Sequence, residues 1–155
     1  MPEHDPEIRR DISPIHFAVT DHCPDEDRDR IMQGLVEHNE SHAPGSRSRE
    51  IAVLARHERE LIGGLTGHTH WNWLFVKWLW VAKDFRHGGI GRKLMAAAHA
   101  EARTRGCQHV HLDTFDFQAL PFYESLGYTV FGKLEDFPAG HTRFFLQKRD
   151  LDREG

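Results

Sequence analysis

The chain has 155 residues, a formal net charge of −4, 39% hydrophobic and 28% charged residues, enough for one globular domain with a sizeable core. Its two cysteines, Cys23 and Cys107, make no disulfide framework and read as reduced thiols of a cytoplasmic protein. No apolar run is long enough to span a membrane, the N-terminal stretch MPEHDPEIRRD lacks the regions of a signal peptide, and the negative charge argues against nucleic acid as main partner.

Residues 1–11 are polar, with Pro2 and Pro6, and read as a loose arm; residues 12–150 read as one domain. Ile12 to Thr20 is apolar enough for a first strand, with Pro14 near its start. Pro24 to about Ser41 predicts a helix, with Asp25, Glu26 and Asp27 at its positive dipole end. Ile31, Met32, Leu35, Val36 and His38 form its expected inward stripe. Ala43 to Arg49 is a flexible connection. Ile51 to Arg56 and Leu61 to His70 predict a hairpin, and Trp73 to Ala82 a further strand.

Next comes Arg-His-Gly-Gly-Ile-Gly, residues 86 to 91, and then RKLMAAAHAEARTR, a run of good helix formers ending at Gly106, an expected C-cap. The order strand, glycine-rich loop, helix aims several backbone N–H groups and a positive dipole end at one small volume. A phosphate or pyrophosphate is its natural occupant. Gly88, Gly89 and Gly91 permit close backbone approach. Arg86, Arg92 and Lys93 add charge. A nucleotide-hydrolase loop would need Gly-Lys-Ser/Thr, which is absent, and the Gly-x-Gly-x-x-Gly dinucleotide spacing is not met. An ordinary glycine turn before a helix is the plain alternative.

His109 to Thr114 predicts another strand, Gln118 to Leu126 a short helix closed by Gly127, and Tyr128 to Glu135 with Arg143 to Lys148 a closing antiparallel pair. The loop residues Arg86, Gly89 and Gly91 fit Arg/Gln-x-x-Gly-x-Gly/Ala. Ala119, Tyr123, Gly127 and Tyr128 fit Ala-x-x-x-Tyr-x-x-x-Gly-Tyr/Phe. Taken together, in this order and separation, they resemble the GNAT superfamily of acyl-CoA N-acetyltransferases, from about Ile51 to Lys148 and more weakly before.

The resemblance implies a mixed α/β fold over residues 12–150, with a central, mostly antiparallel sheet of about seven strands flanked by helices. It implies acetyl transfer from acetyl-CoA, as co-substrate, to a primary amine of a small molecule or to an exposed amino group of a peptide. The strand before the loop then splays from its neighbour, and free backbone groups at Leu79, Val81 and Ala82 pair with pantetheine. Arg86, His87, Gly88, Gly89, Ile90, Gly91 and Arg92 are the expected pyrophosphate contacts. Tyr123 is the expected general acid for the leaving thiolate; a core tyrosine with a satisfied hydroxyl is the alternative. Many relatives carry an Asn where this chain has Asp116, which cannot donate when ionised. Gln118 stands in for that contact, and capping of the Tyr123 helix is the plainer role for Asp116. Relatives often dimerise, which leaves a homodimer open.

The general base is not fixed by the sequence. Some relatives place a Glu on the strand before the loop, where this chain offers only Lys77. His68 and His70 share one strand face and suit base work near neutral pH. Glu135 and His141 are further candidates, as are Asp113 and Asp136; a water chain is the alternative. His68-x-His70 and His109-x-His111 invite a metal, yet spacing indicates no third ligand, so none is expected. Strict alternation puts Trp71, Trp73 and Phe75 on one strand face and Trp78 and Trp80 on the other, in the core or lining an acceptor cavity. Two other functions remain open: a non-catalytic acyl-CoA sensor on the same fold, and a nucleotide-binding module.

Overall fold

The computed structural model describes residues 13–153; the expected arm at residues 1–11 lies outside them. The chain separates into two units, Met1–His38 and Asn39–Gly155.

In the first unit, residues 13–20 carry no strand, and Ile15, Phe17 and Val19 are exposed. The first strand expected at Ile12–Thr20 is therefore absent from the described residues. Apolar alternation gives a segment the character of a strand, but only a ladder partner makes it one. The first helix, α1 (Asp25–His42), has Asp25, Glu26 and Asp27 in its first turn, and Arg28 pairs with Asp25 at 2.7 Å. It buries none of its side chains, so the expected inward stripe of Ile31, Met32, Leu35, Val36 and His38 is not realised.

The second unit is built on a six-stranded sheet, one strand fewer than expected. The strands are β1 (Arg49–His57), β2 (Glu60–His70), β3 (Trp73–Val81), β4 (His109–Phe115), β5 (Thr129–Glu135) and β6 (Thr142–Lys148), in spatial order β1-β2-β3-β4-β6-β5. All neighbours are antiparallel except β3 and β4. That parallel pair needs a crossover, which α2 (Ile90–Thr104) supplies. A short helix, α3 (Leu120–Ser125), follows β4.

One face of the sheet is sealed. Leu65, Leu74, Val76, Val110, Leu112 and Leu146 pack there with Leu94, Met95, Ala98 and Ala102 of α2 and Tyr123 of α3. The helix ends as expected at Gly106, with φ of 84° and a Cys107 N–H bond to the Ala102 carbonyl. On the second face the side chains range from the buried His109 on β4, through the half-buried His68, Phe75 and His111, to the exposed Trp78 and Trp80 on β3.

A β-bulge reorganises β3. Thr66 faces Trp78 and Gly67 faces Val76, so Lys77 is left without a partner on β2. A Cβ at Gly67 would run into the Phe75 carbonyl. Only glycine lets the strands close at this point. The extra residue resets the alternation: Leu74, Val76, Leu79 and Val81 all point to the core. Trp78 and Trp80 therefore share the second face with Trp73 and Phe75, where strict alternation put them on opposite faces.

Candidate active site

The parallel ladder between β3 and β4 ends at Val76–Leu112. Beyond it, β3 pairs only with β2, and a slot opens through the sheet. Ala82 donates its N–H to the Ile62 carbonyl, so the groups that face β2 are those of Ala82, Trp80 and Trp78. Those of Leu79 and Val81 face the slot. The Val81 carbonyl accepts a 2.9 Å bond from Arg86 Nε. Leu79 and the Val81 N–H have no ladder partner, which suits an extended, amide-containing arm such as pantetheine. Ala82 differs: its N–H is taken by Ile62, and its carbonyl accepts from the Phe85 N–H at 2.9 Å.

A single 3₁₀ turn, Lys83–Phe85, carries the chain from β3 into the glycine loop. Arg86 folds back onto the strand end. His87 at φ 66° and Gly89 at φ 80° turn the backbone, and Gly89 is the N-cap of α2. A Cβ at Gly89 would have nothing within 4 Å, so the volume in front of the loop is open. The first-turn N–H groups of α2, at Ile90, Gly91 and Arg92, have no acceptor within the helix, and its first turn has no acidic side chain. The site thus fits an anion. Gly91 lies beside Phe122 of α3, and Arg92 donates to Ser125 Oγ at 3.2 Å. Both tie the loop helix to the tyrosine helix.

Tyr123 is 6% exposed, its ring edge-on to Phe122 and Tyr128 at 5.2 and 5.8 Å. Its hydroxyl makes no hydrogen bond among the described residues. Burial, with the Asp113 carboxylate adding to it, pushes its pKa up to about 12. Tyr123 therefore holds its proton at neutral pH. Tyr128 behaves differently: its hydroxyl bonds His99 Nε2 at 2.6 Å. Burial moves the His99 pKa down to about 4, so this imidazole is neutral.

Of the expected base candidates, His68, His70, Glu135 and His141 are dispersed. His68 lies on the second sheet face, its ring 5.3 Å from that of Phe75. Burial first, then His70 and Lys77, hold its pKa below the ordinary histidine value. His70 stacks on Trp71 at 4.0 Å and pairs with Trp73, at the end of β3 away from the slot. Glu135 is exposed and bridges Lys133 at 3.1 Å. His141 lies on the β5–β6 hairpin, 2.8 Å from Asp116. Asp116 also accepts the Thr142 N–H at 2.9 Å, so it fastens the end of β4 to β6 and does not cap α3, whose N-cap is Ala119. Gln118 turns its amide oxygen to the Phe115 N–H at 3.0 Å and to Thr114 Oγ1 at 3.3 Å.

The bases considered from the sequence did not include His111. It lies beside Phe75 at 4.9 Å, in the last register position but one before the slot. Its pattern on a strand was legible, but only as half of a His-x-His metal motif. Its neighbour Asp113 is bound by Arg143 through bonds of 2.7 and 2.8 Å.

Known proteins share this fold. The chain is 35% identical to an acetyltransferase of Agrobacterium tumefaciens of known crystal structure, with a TM-score of 0.81 over 87% of this chain and 99% of that one. It is 42% identical over 110 residues to the blasticidin-S acetyltransferase of Streptomyces morookaense, covering 68% of this chain and 81% of that protein. At 21% identity it shares the fold of a streptothricin acetyltransferase of Bacillus anthracis, solved with acetyl coenzyme A, with a TM-score of 0.59 over 64% of this chain and 62% of the other. The model of the acetyltransferase (GNAT) family matches residues 7–128. With its splayed strands, anion loop and tyrosine helix, the chain belongs to the GNAT family and is an acetyl-CoA-dependent N-acetyltransferase.

Proposed function

We propose that this enzyme acetylates a primary amine on a small, cationic molecule, by direct attack of the amine on acetyl-CoA, with Tyr123 as general acid. The observation that carries the reading is the slot itself. It has the glycine loop at one end, and beside it the buried ring of Tyr123, whose hydroxyl bonds no described residue. In this reading Leu79 and Val81 hold the pantetheine arm through their backbone. The N–H groups from His87 to Arg92 hold the pyrophosphate. Acetyl-CoA supplies the activated acyl group.

Direct attack needs an amine that has lost its proton and a leaving thiolate that gains one. Tyr123 suits the second task because its proton stays on at neutral pH. The blasticidin-S acetyltransferase, the relative that shares 42% identity, acts on a small amine-bearing molecule by its name. That, with the net charge of −4, favours a small cationic acceptor over a protein terminus.

The test begins with acetyl-CoA. Gly89→Val places a β-branched side chain at φ 80°, in the open volume before the helix. Calorimetric titration should give a Kd raised by about 10²-fold or more, with the fold retained by circular dichroism; each tenfold is about 1.4 kcal/mol. An unchanged Kd removes the loop from the acetyl-CoA site. Thiol release measured on a panel of small primary amines, including blasticidin S, then tests the acceptor class.

A further inference from the structure

The amine must surrender a proton as it attacks, and Tyr123 cannot take it. The slot passes through the sheet, and Tyr123 reaches it from the helix-covered face. The group that receives the amine proton therefore belongs on the second face. Cross-strand register places a row of residues there: Glu50, His68, Phe75, His111 and Gln147, one on each of β1, β2, β3, β4 and β6. Phe75 sits between two imidazoles, 5.3 Å from His68 and 4.9 Å from His111. One register position beyond, at Val76–Leu112, β3 and β4 part.

We propose, resting on the acetyl-transfer reading above, that His111, one register position before β3 and β4 part, is the general base that takes the proton of the acceptor amine. Of the two imidazoles, His111 is on a strand that borders the slot; His68 is one strand farther away. Asp113, the next residue on the same face, is already engaged by Arg143 at 2.7 Å. His111 makes no hydrogen bond among the described residues, so its ring nitrogens remain available to a substrate.

The titratable and polar groups around His111 are His68 on β2, His109 and Asp113 on its own strand, and Gln147 on β6; Arg143 reaches this side through its pair with Asp113. Burial, and then His68, hold its pKa below the usual histidine value, while Asp113 works in the opposite direction. A neutral imidazole is the form a base needs. In the reaction the amine nitrogen bonds to the acetyl carbon and gives its proton to His111. The carbon–sulfur bond breaks, and the thiolate takes the Tyr123 proton. The imidazolium then returns its proton to solvent, and the tyrosinate takes one up.

The experiment compares the parent with His111→Gln and His68→Gln on the best amine of the panel, following kcat against pH and acetyl-CoA affinity by calorimetry. His111→Gln should lower kcat by about 10²-fold, leave the acetyl-CoA Kd within about twofold and abolish the acidic limb of the profile. That limb should lie below the ordinary histidine value, because kcat falls only once His111 is protonated. His68→Gln should keep the maximal kcat within a few-fold but move the limb to higher pH, since a neighbour that lowers the His111 pKa is gone. His111→Ala should regain activity with added imidazole, which separates lost chemistry from lost folding. Parental kcat and limb in His111→Gln, or loss of the limb in His68→Gln alone, overturns the assignment. A parent that binds acetyl-CoA but acetylates no amine of the panel overturns the acceptor reading, and the role of His111 with it.

Discussion

The two halves of β3 have nearly the same composition and opposite fates. Trp73–Val76 is bonded on both sides, to β2 and to β4, and its core residues Leu74 and Val76 are 0% and 3% exposed. Beyond the unpaired Lys77, Trp78–Val81 is bonded on one side only, and Trp78 and Trp80 are 65% and 50% exposed. Both halves are apolar and β-prone. The difference comes from the partner strands, not from β3. A bulge opposite Gly67 shifts the register, β4 ends its ladder, and the second half is left with backbone groups to offer a substrate. The closed half fixes the geometry that the open half uses.

The most disruptive change strikes the hinge between the halves. Gly67→Ala drives a methyl group into the Phe75 carbonyl, a backbone atom that cannot step aside. The expected loss is about 3 kcal/mol, at the upper end for overpacking. Thermal unfolding should show it as a Tm lower by roughly 6–12 °C. An unchanged Tm would mean that the bulge does not depend on glycine.

Much of the architecture is legible in the sequence. Gly89, Gly91 and the helix-forming run after them have a local reason to be where they are, as does Gly106 at its left-handed cap. Tyr123 was legible through a motif carried on one short helix. The missing pieces are non-local. Nothing in WLFVKWLWV says that Lys77 is a bulge residue; the one signal was Gly67 inside the preceding strand, a position where glycine marks a close backbone approach. His111 could be seen only as a strand residue, because its value comes from register with Phe75 and His68. The strand expected at Ile12–Thr20 has a real apolar pattern, but alternation alone makes no ladder among residues 13–20.

The two tyrosines sharpen the comparison at the level of single hydroxyls. Tyr123, beside the open half, bonds no described residue; Tyr128, in the closed core, bonds the buried His99. Tyr123→Phe should lower kcat by about 10²-fold, with acetyl-CoA affinity and Tm close to the parent's. Tyr128→Phe should do the converse. It removes the buried hydrogen bond to His99, at a cost of about 1–3 kcal/mol in stability, and should keep kcat. Steady-state kinetics beside thermal unfolding of both variants decides. A Tyr123→Phe enzyme with full kcat but lowered stability would turn Tyr123 into a second Tyr128 and take it out of the mechanism.

The smallest effect is expected where the open half meets solvent. Arg92 stands in the first turn of α2, exposed, with its guanidinium on Ser125 Oγ at 3.2 Å. Its charge adds to a field that the helix N-terminus already makes positive, so it acts on the cofactor phosphates from the rim of the site. Exposed charges are screened over about 8–10 Å at moderate ionic strength. Arg92→Ala should therefore weaken acetyl-CoA binding by only a few-fold at low salt, and the gap should close as salt is added. Titrations at a series of ionic strengths give the slope directly. A flatter slope in the variant assigns Arg92 to the electrostatic field. Parallel slopes would reduce its role to the bond with Ser125, which ties the helix after the loop to the helix that carries Tyr123. In that case kcat, not Kd, should register its loss, because it is the position of Tyr123 that would relax.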